Sequence, residues 1–264
     1  MAASRASPQA AFVLHQWDWS ETSLILDLFT REHGRVAAVA KGAKRPYSQL
    51  RPVLMPFQRL LVLTSRPKSA SADDGADILL LRSAEYAGAG AAMPPARLFP
   101  GFYLNELLMK LLARGDPHAA LFDAYADALQ ALAMASDEAP LRAFELQLLR
   151  ETGVLPELSR ITTTQAPVCA AGSYHLGGEA GLAEATADDA MALPGAVCQA
   201  LQAALDHGDG TALRRACQGA LPALRSQLRA LLPYHLGSPA LRTRALMLDV
   251  RRLLDAAPAA PSTP

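Results

Sequence analysis

Several features that mark whole classes of protein are scarce or missing from this sequence. It has three cysteines, Cys169, Cys198 and Cys217, in 264 residues. That is too few for the disulfide framework of a secreted domain, so a reducing compartment is expected. No uninterrupted run of about 18 apolar residues occurs, so no membrane span is expected. The opening residues Met1-Ala2-Ala3-Ser4-Arg5 lack the apolar stretch of a signal peptide. A cytoplasmic protein is the expectation. Charged residues make up only 19%, but 51% of the chain is apolar, which excludes a disordered polymer. The length allows one large or two modest domains with a real core.

Catalytic signatures are missing as well. There is no glycine-rich phosphate loop ending in Lys-Ser/Thr, no Gly-x-Gly-x-x-Gly, and no Gly-x-Ser-x-Gly elbow. The six histidines (His15, His33, His118, His175, His207 and His235) are scattered without a His-x-x-x-His pair. Cys169 and His175 sit six residues apart, but a structural zinc needs four ligands, and Cys198 and Cys217 fall far away in helical sequence. Asp188 and Asp189 precede a helix, where capping accounts for them. No catalytic residues, metal or cofactor are expected, and the chain is read as a non-enzyme.

An excess of either charge is also missing: 25 Lys and Arg face 25 Asp and Glu. At first sight this argues against a protein that grips nucleic acid. The balance dissolves when the chain is divided. Residues 1–82 carry 11 basic and 7 acidic residues, residues 83–213 carry 6 and 16, and residues 214–264 carry 8 and 2. The three stretches are therefore net +4, −10 and +6. Residues 33–72 contain no acid and eight bases: Arg35, Lys41, Lys44, Arg45, Arg51, Arg59, Arg66 and Lys68. Two basic stretches flanking an acidic middle make local positive fields that the total conceals.

What is present is ordered in two parts. Residues 11–16, 23–30, 35–41, 59–64 and 78–83 read as five short strands, with the turn Arg31-Glu32-His33-Gly34 joining the second to the third. Residues 65–77 read as a flexible polar loop. Five strands without a helical period predict a small barrel. A Gly/Ala/Pro linker at 87–95 follows. The period then becomes helical, with Leu104, Leu107, Leu108, Leu111 and Leu112 on one stripe. Pro117 and Pro140 open further helices, and Gly153 ends the third. Residues 161–190 are irregular, helices resume from about 189, and the Pro/Ala tail reads as disordered. The expected organisation is α+β: a five-stranded barrel over 1–86, helical segments over 87–160 and 189–257, an irregular subdomain over 161–188, and a tail over 258–264. A five-stranded barrel with basic loops suits single-stranded nucleic acid, because cations track phosphates while aromatic faces stack bases. Tyr47, which follows Lys44-Arg45-Pro46, is the stacking candidate. Phe12, Phe29 and Phe57 are read as core.

An ordered set of motifs resembles the RecO family of bacterial recombination mediators. It begins with Ala11-Phe12-Val13-Leu14-His15, Trp19-Ser20-Glu21-Thr22-Ser23-Leu24 and Asp27-Leu28-Phe29-Thr30. It continues through Gly34-Arg35-Val36, Val39-Ala40-Lys41-Gly42-Ala43, Pro56-Phe57 and Leu81-Arg82-Ser83-Ala84-Glu85. Tyr103-Leu104-Asn105-Glu106-Leu107-Leu108 and Leu141-Arg142-Ala143-Phe144-Glu145-Leu146 follow, then Tyr234-His235-Leu236-Gly237 and Leu241-Arg242-Thr243-Arg244. The resemblance spans roughly residues 10–250.

The resemblance implies an N-terminal OB-fold, a helical domain, and binding to single- and double-stranded DNA with annealing of complementary strands. It implies the partners RecR, the acidic C-terminal tail of SSB and, indirectly, RecA, with association to the nucleoid during repair. By position it implies DNA contacts at Arg35, Lys41, Lys44, Arg45, Arg242 and Arg244, and contacts to the SSB tail at Arg142 and Leu146. An arginine beside an apolar groove is the chemistry that suits an acidic peptide ending in phenylalanine. Two departures stand out. Zinc-bearing members have two cysteine pairs in the segment equivalent to 161–190, where this chain has Cys169 alone, so a metal-free loop or hairpin is expected. The 69–77 loop is also longer and more acidic than the family pattern. The residues alone leave room for an RNA-binding OB-fold protein or a non-catalytic protein-interaction scaffold.

Overall fold

The computed structural model describes residues 7–67, 78–88, 92–134, 137–186, 188–236 and 241–256 of the chain. The expected 69–77 loop and the 258–264 tail lie outside them.

Five strands open the structure: β1 (Gln9–Asp18), β2 (Leu24–Thr30), β3 (Gly34–Ala40), β4 (Leu60–Ser65) and β5 (Ile78–Tyr86). They close into a barrel in the order β1-β2-β3-β5-β4, with all neighbours antiparallel except β3 and β5. This is the strand order of an OB-fold. Strand alternation sorts the side chains. Ala11, Val13, Leu26, Leu28, Val36, Ala38, Leu60 and Val62 point inward and form the barrel's own core. The 41–59 loop returns Leu50, Val53 and Leu54 to that core.

Phe12 and Leu14 of β1 and Phe29 of β2, on the outer face, are apolar too, which an antiparallel strand with one wet face would not favour. Their cover is the helical domain: α1 (Leu98–Leu111), α2 (Ala119–Met134) and α3 (Ala139–Glu151), then α4 (Gly195–Asp206), α5 (Gly210–Gln218), α6 (Leu221–Leu236) and α7 (Arg242–Ala256). Phe12 and Phe29 leave the barrel to pack on Phe122 and Tyr125, with ring centroids 5.0–6.1 Å apart. Phe12, Leu14, Phe29 and Phe57 therefore belong to the core of the helices rather than to the barrel interior. Between α3 and α4, residues 173–194 form a small sheet. β6 (Ser173–Gly177) pairs with β7 (Gly181–Glu184) as a hairpin, and β8 (Leu193–Pro194) adds to its other edge. No described helix is long and apolar enough to cross a membrane.

Polar contacts fix the angle of the seam. The Asn105 side chain, from the chain's one asparagine, donates to the Leu14 carbonyl at 2.9 Å and accepts from the Tyr125 hydroxyl. Arg31 at the β2–β3 turn forks onto Asp123 of α2 at 2.8 Å. Gly34, in the same turn, lies so close to the α1–α2 connection that a Cβ there would sit 1.7 Å from the Asp116 carbonyl oxygen, and its φ is +63°. Both facts demand glycine. Gly34→Ala is expected to cost at least about 2 kcal/mol from the left-handed backbone and the clash together. Urea unfolding should report this as a lowered midpoint.

Candidate nucleic-acid interface

At the barrel end away from the β2–β3 turn, two connections meet. The 19–23 turn between β1 and β2 is held by Trp19 N–H donating to the Ser23 carbonyl and by Ser23 N–H donating to the Ser20 hydroxyl, both at 3.2 Å. This projects Trp19 into solvent at 64% exposure. The 41–59 loop packs beside it through Lys44. The Lys44 backbone N–H donates to the Thr22 carbonyl at 3.0 Å, and its ammonium donates to the Ser20 carbonyl and pairs with Asp18, each at 3.1 Å. One lysine thus staples both connections and neutralises the carboxylate between the two tryptophans. Lys41 and Arg45 are exposed on either side of it, and Tyr47 is 94% exposed. The loop contains no acid, so its field is uniformly positive.

Arg35, expected beside the DNA-facing loops, does not join this cluster. Its guanidinium forks onto Asp27 through two hydrogen bonds of 2.8 Å and donates to the Met109 and Leu112 carbonyls at the end of α1. Asp27 is fully buried and also receives Arg114 at 3.3 Å. Arg35 faces outward on β3 as alternation requires, but this part of the outer face lies under the helices, and every donor is directed at the seam.

The other expected residues are dispersed. Leu146 is fully enclosed in the helical core, and Arg142 is 8% exposed. Arg142 pairs with the buried Glu145 at 2.9 Å, while its Nε has no hydrogen-bond partner. Burial pushes the Glu145 carboxyl above the usual range, with Arg142 and Tyr103 opposing. Arg242 and Arg244 lie on α7, which packs on α1; the Arg244 side chain is outside the described part of the chain. Glu106 of α1 caps that helix, accepting from the backbone N–H groups of Arg242 at 2.8 Å and Thr243 at 2.9 Å.

The 161–190 segment does not fit a structural zinc. Its one cysteine, Cys169, is exposed, and its backbone N–H donates to the Tyr174 hydroxyl at 2.8 Å. His175 bonds Asp189. No group of three metal-ligating side chains occurs among the described residues. Cys198 and Cys217 are buried in helices, which pushes their thiols up to about 11 and about 12.

Trp17 and Trp19, which the sequence places together in a turn, are split by the structure, Trp17 ending β1 and Trp19 opening the turn. Trp17 is 42% exposed at the end of β1, edge-on to His15 at 4.5 Å. The usable signal was the Trp-x-Trp spacing at a strand end, facing a basic loop.

A barrel of OB topology with one cationic, aromatic-bearing end, seated on a helical domain, defines a class of nucleic-acid-interacting proteins. Residues 6–72 match the family described as Recombination protein O N terminal, and residues 95–245 match Recombination protein O C terminal. A DNA repair protein RecO of Verminephrobacter eiseniae is 51% identical over 257 residues, covering 96% of this chain and 99% of its own. Proteins of the same name from Polaromonas sp. and Acidovorax ebreus are each 49% identical, covering 96% of this chain and all of their own. The chain belongs to the RecO family, and its role lies in DNA repair and recombination.

The Glu106 cap carries a pH dependence. Burial pushes this carboxyl upward, but the hydrogen bonds from Thr243 and Arg242 and the charge of Lys110 outweigh it, so the group is held below the usual carboxylate range. A depressed pKa gives stability that is complete above the unfolded value of about 4.3 and is lost as pH falls through the lower folded value. Acid should therefore release α7 before the barrel. Glu106→Gln should loosen α7 at neutral pH by about 1 kcal/mol. Hydrogen exchange at the Arg242 and Thr243 amides measures both effects, with the barrel amides as the reference.

Proposed function

We propose that the chain is a non-catalytic recombination mediator that binds DNA through the open end of its barrel and anneals complementary strands. The observation carrying this reading is the acid-free 41–59 loop, stapled by Lys44 to the tryptophan-bearing 19–23 turn. Lys41 and Arg45 neutralise phosphates on either side of Lys44, whose charge is shared with Asp18, and Tyr47 offers an exposed ring to a base. Arg242 and Arg244 on α7 supply a second cationic region, so that two strands can be held at once with their mutual repulsion reduced. No bond is made or broken, and the chemistry is charge neutralisation and release of counterions.

In this reading the protein works with RecR to help load RecA onto strands coated by SSB, and it recognises the acidic SSB tail at α3. The unsatisfied Nε of Arg142 supports that assignment, because it is a buried donor that a peptide carboxylate would satisfy. Leu146, one turn on, is reached only when neighbouring side chains move.

Lys41→Glu with Arg45→Glu should weaken binding of a labelled single strand. Each lost phosphate contact should also flatten the log–log salt dependence by about 0.7. An unchanged slope would remove both residues from the interface. Arg142→Ala should abolish binding of an SSB-tail peptide while oligonucleotide binding persists. Stranding Glu145 would cost about 3–5 kcal/mol, so Arg142→Met with Glu145→Gln serves as the partner variant. Undiminished peptide affinity in both would place the tail elsewhere.

A further inference from the structure

The outer face of the barrel is covered over only part of its length, and strand register resolves it into rungs. Phe29 is the cross-strand partner of Phe12 on one side and of Arg35 on the other, and this rung lies under the helices. The next rung runs His15, Asp27, Ala37, Ile78. Asp27 and Ala37 within it are enclosed. The third runs Trp17, Ile25, Val39, Leu80 across four strands. Trp17 is exposed, the other three are half-buried, and none of the four belongs to either core. An indole and three aliphatic side chains thus stand together on an open sheet.

The surroundings of this rung say what covers it. Val39 is followed two residues later by exposed Lys41, and Leu80 by exposed Arg82, which donates to Ser65 at 2.8 Å. Asp18, beside Trp17, is bound to Lys44, and Asp27 is bound to Arg35. An apolar surface bordered by cations, with Asp18 and Asp27 beside it both paired, complements a ligand that is anionic along one edge and flat and apolar along the other. An unpaired DNA strand has that character, whereas a duplex hides its base faces within its own stack.

We propose that the Trp17–Ile25–Val39–Leu80 rung is a platform for unpaired bases, with Trp17 as the stacking residue, so that the interface selects single strands over duplex. This rests on the DNA-binding reading above and adds the state of the strand to it. The cations set how strongly any phosphate chain is held. The rung sets which chain is preferred.

The chain has two tryptophans, so a Trp19→Phe protein reports Trp17 alone, with that protein's own affinity as the reference. It is titrated with an oligo-dT strand, an abasic strand of equal length, and a duplex, following both the anisotropy of the labelled DNA and the Trp17 emission. Oligo-dT should quench Trp17. The abasic strand should bind roughly five- to hundredfold more weakly with the same salt slope. In the native-tryptophan protein, Trp17→Ala should bring oligo-dT down toward abasic affinity while leaving duplex binding and the salt slope unchanged. Val39→Thr, which keeps a β-branched side chain in the strand, should move in the same direction. Equal affinity for dT and abasic strands, or bound dT with unaltered Trp17 emission, overturns the platform while the DNA-binding reading stands. Absence of binding by all three probes overturns both.

Discussion

The ion pair of Asp27 with Arg35 is the constraint on which the arrangement of this molecule depends. A carboxylate with no exposure is costly unless its oxygens are satisfied. Here both accept from the Arg35 fork at 2.8 Å, and Arg114 adds a third donor at 3.3 Å. Arg35 also donates to carbonyls at the C-terminal end of α1, where the helix dipole favours a cation. The same group therefore neutralises a barrel strand and closes a helix end. Around it the seam is repeated in other chemistry: Gly34 beneath Asp116, Gly115 N–H on the Arg35 carbonyl at 2.9 Å, and Asn105 bridging Leu14 and Tyr125. None of these contacts tolerates sliding of the barrel on the helices. The orientation of the open barrel end is set from the opposite end.

That division of labour determines which charges are available for binding. Of the bases in the acid-free 33–72 stretch, Arg35 is consumed by folding, and Lys44 is partly consumed in joining two loops. Lys41 and Arg45 stay exposed. A pair of loops braced to one another presents its cations with less conformational entropy to lose on binding than two free loops would. Phe57 does the same for the far end of the 41–59 loop: its buried ring takes the place a Cβ of Gly101 would occupy and packs against Phe102 with centroids 4.9 Å apart. The loop that carries the exposed cations is thereby anchored on both sides.

Most of the fold was legible because it follows from short-range periodicity. The five strands, the helical stripes at Leu104, Leu107 and Leu108, and the glycine end of α3 are local patterns. The apolar character of 11–14, and of 24–30 apart from Asp27 and Thr30, on both faces was an available sign that the barrel is covered on one side. The roles of individual cations were less legible. Arg35 and Lys41 sit in one basic, acid-free run, and nothing in that run separates a seam residue from a surface one. The separating fact is Asp27, which precedes the run and reaches Arg35 only through β2–β3 register. Arg142 and Leu146 are similar: their helix is enclosed on nearly every side although Arg142 and Glu145 lie within it, so its polar residues do not mark an outward face. The 161–190 segment lacks a sustained period because its strands are four or five residues long and its turns are held by side chains such as Tyr174 and Asp189.

Zero net charge takes on a physical meaning once the charges have places. A neutral protein exerts little long-range pull on a polyanion, and beyond a Debye length of about 8 Å at physiological salt even local clusters are screened. Contact with DNA must then be decided at short range, by a few phosphate contacts and by whatever the uncharged surface prefers. The acidic middle of the chain, net −10 over residues 83–213, disfavours a polyanion there, which in the proposed reading leaves the basic ends to hold the strands. In the proposed reading, a mediator that engages strands coated by another protein and then releases them gains from this arrangement. Weak overall attraction favours release, and in the same reading selectivity rests on contacts that exist only when a strand is open. The exposed rung on the barrel sheet is where such contacts can form, because the helices leave that part of the face open while Asp27 and Arg35 close the rest.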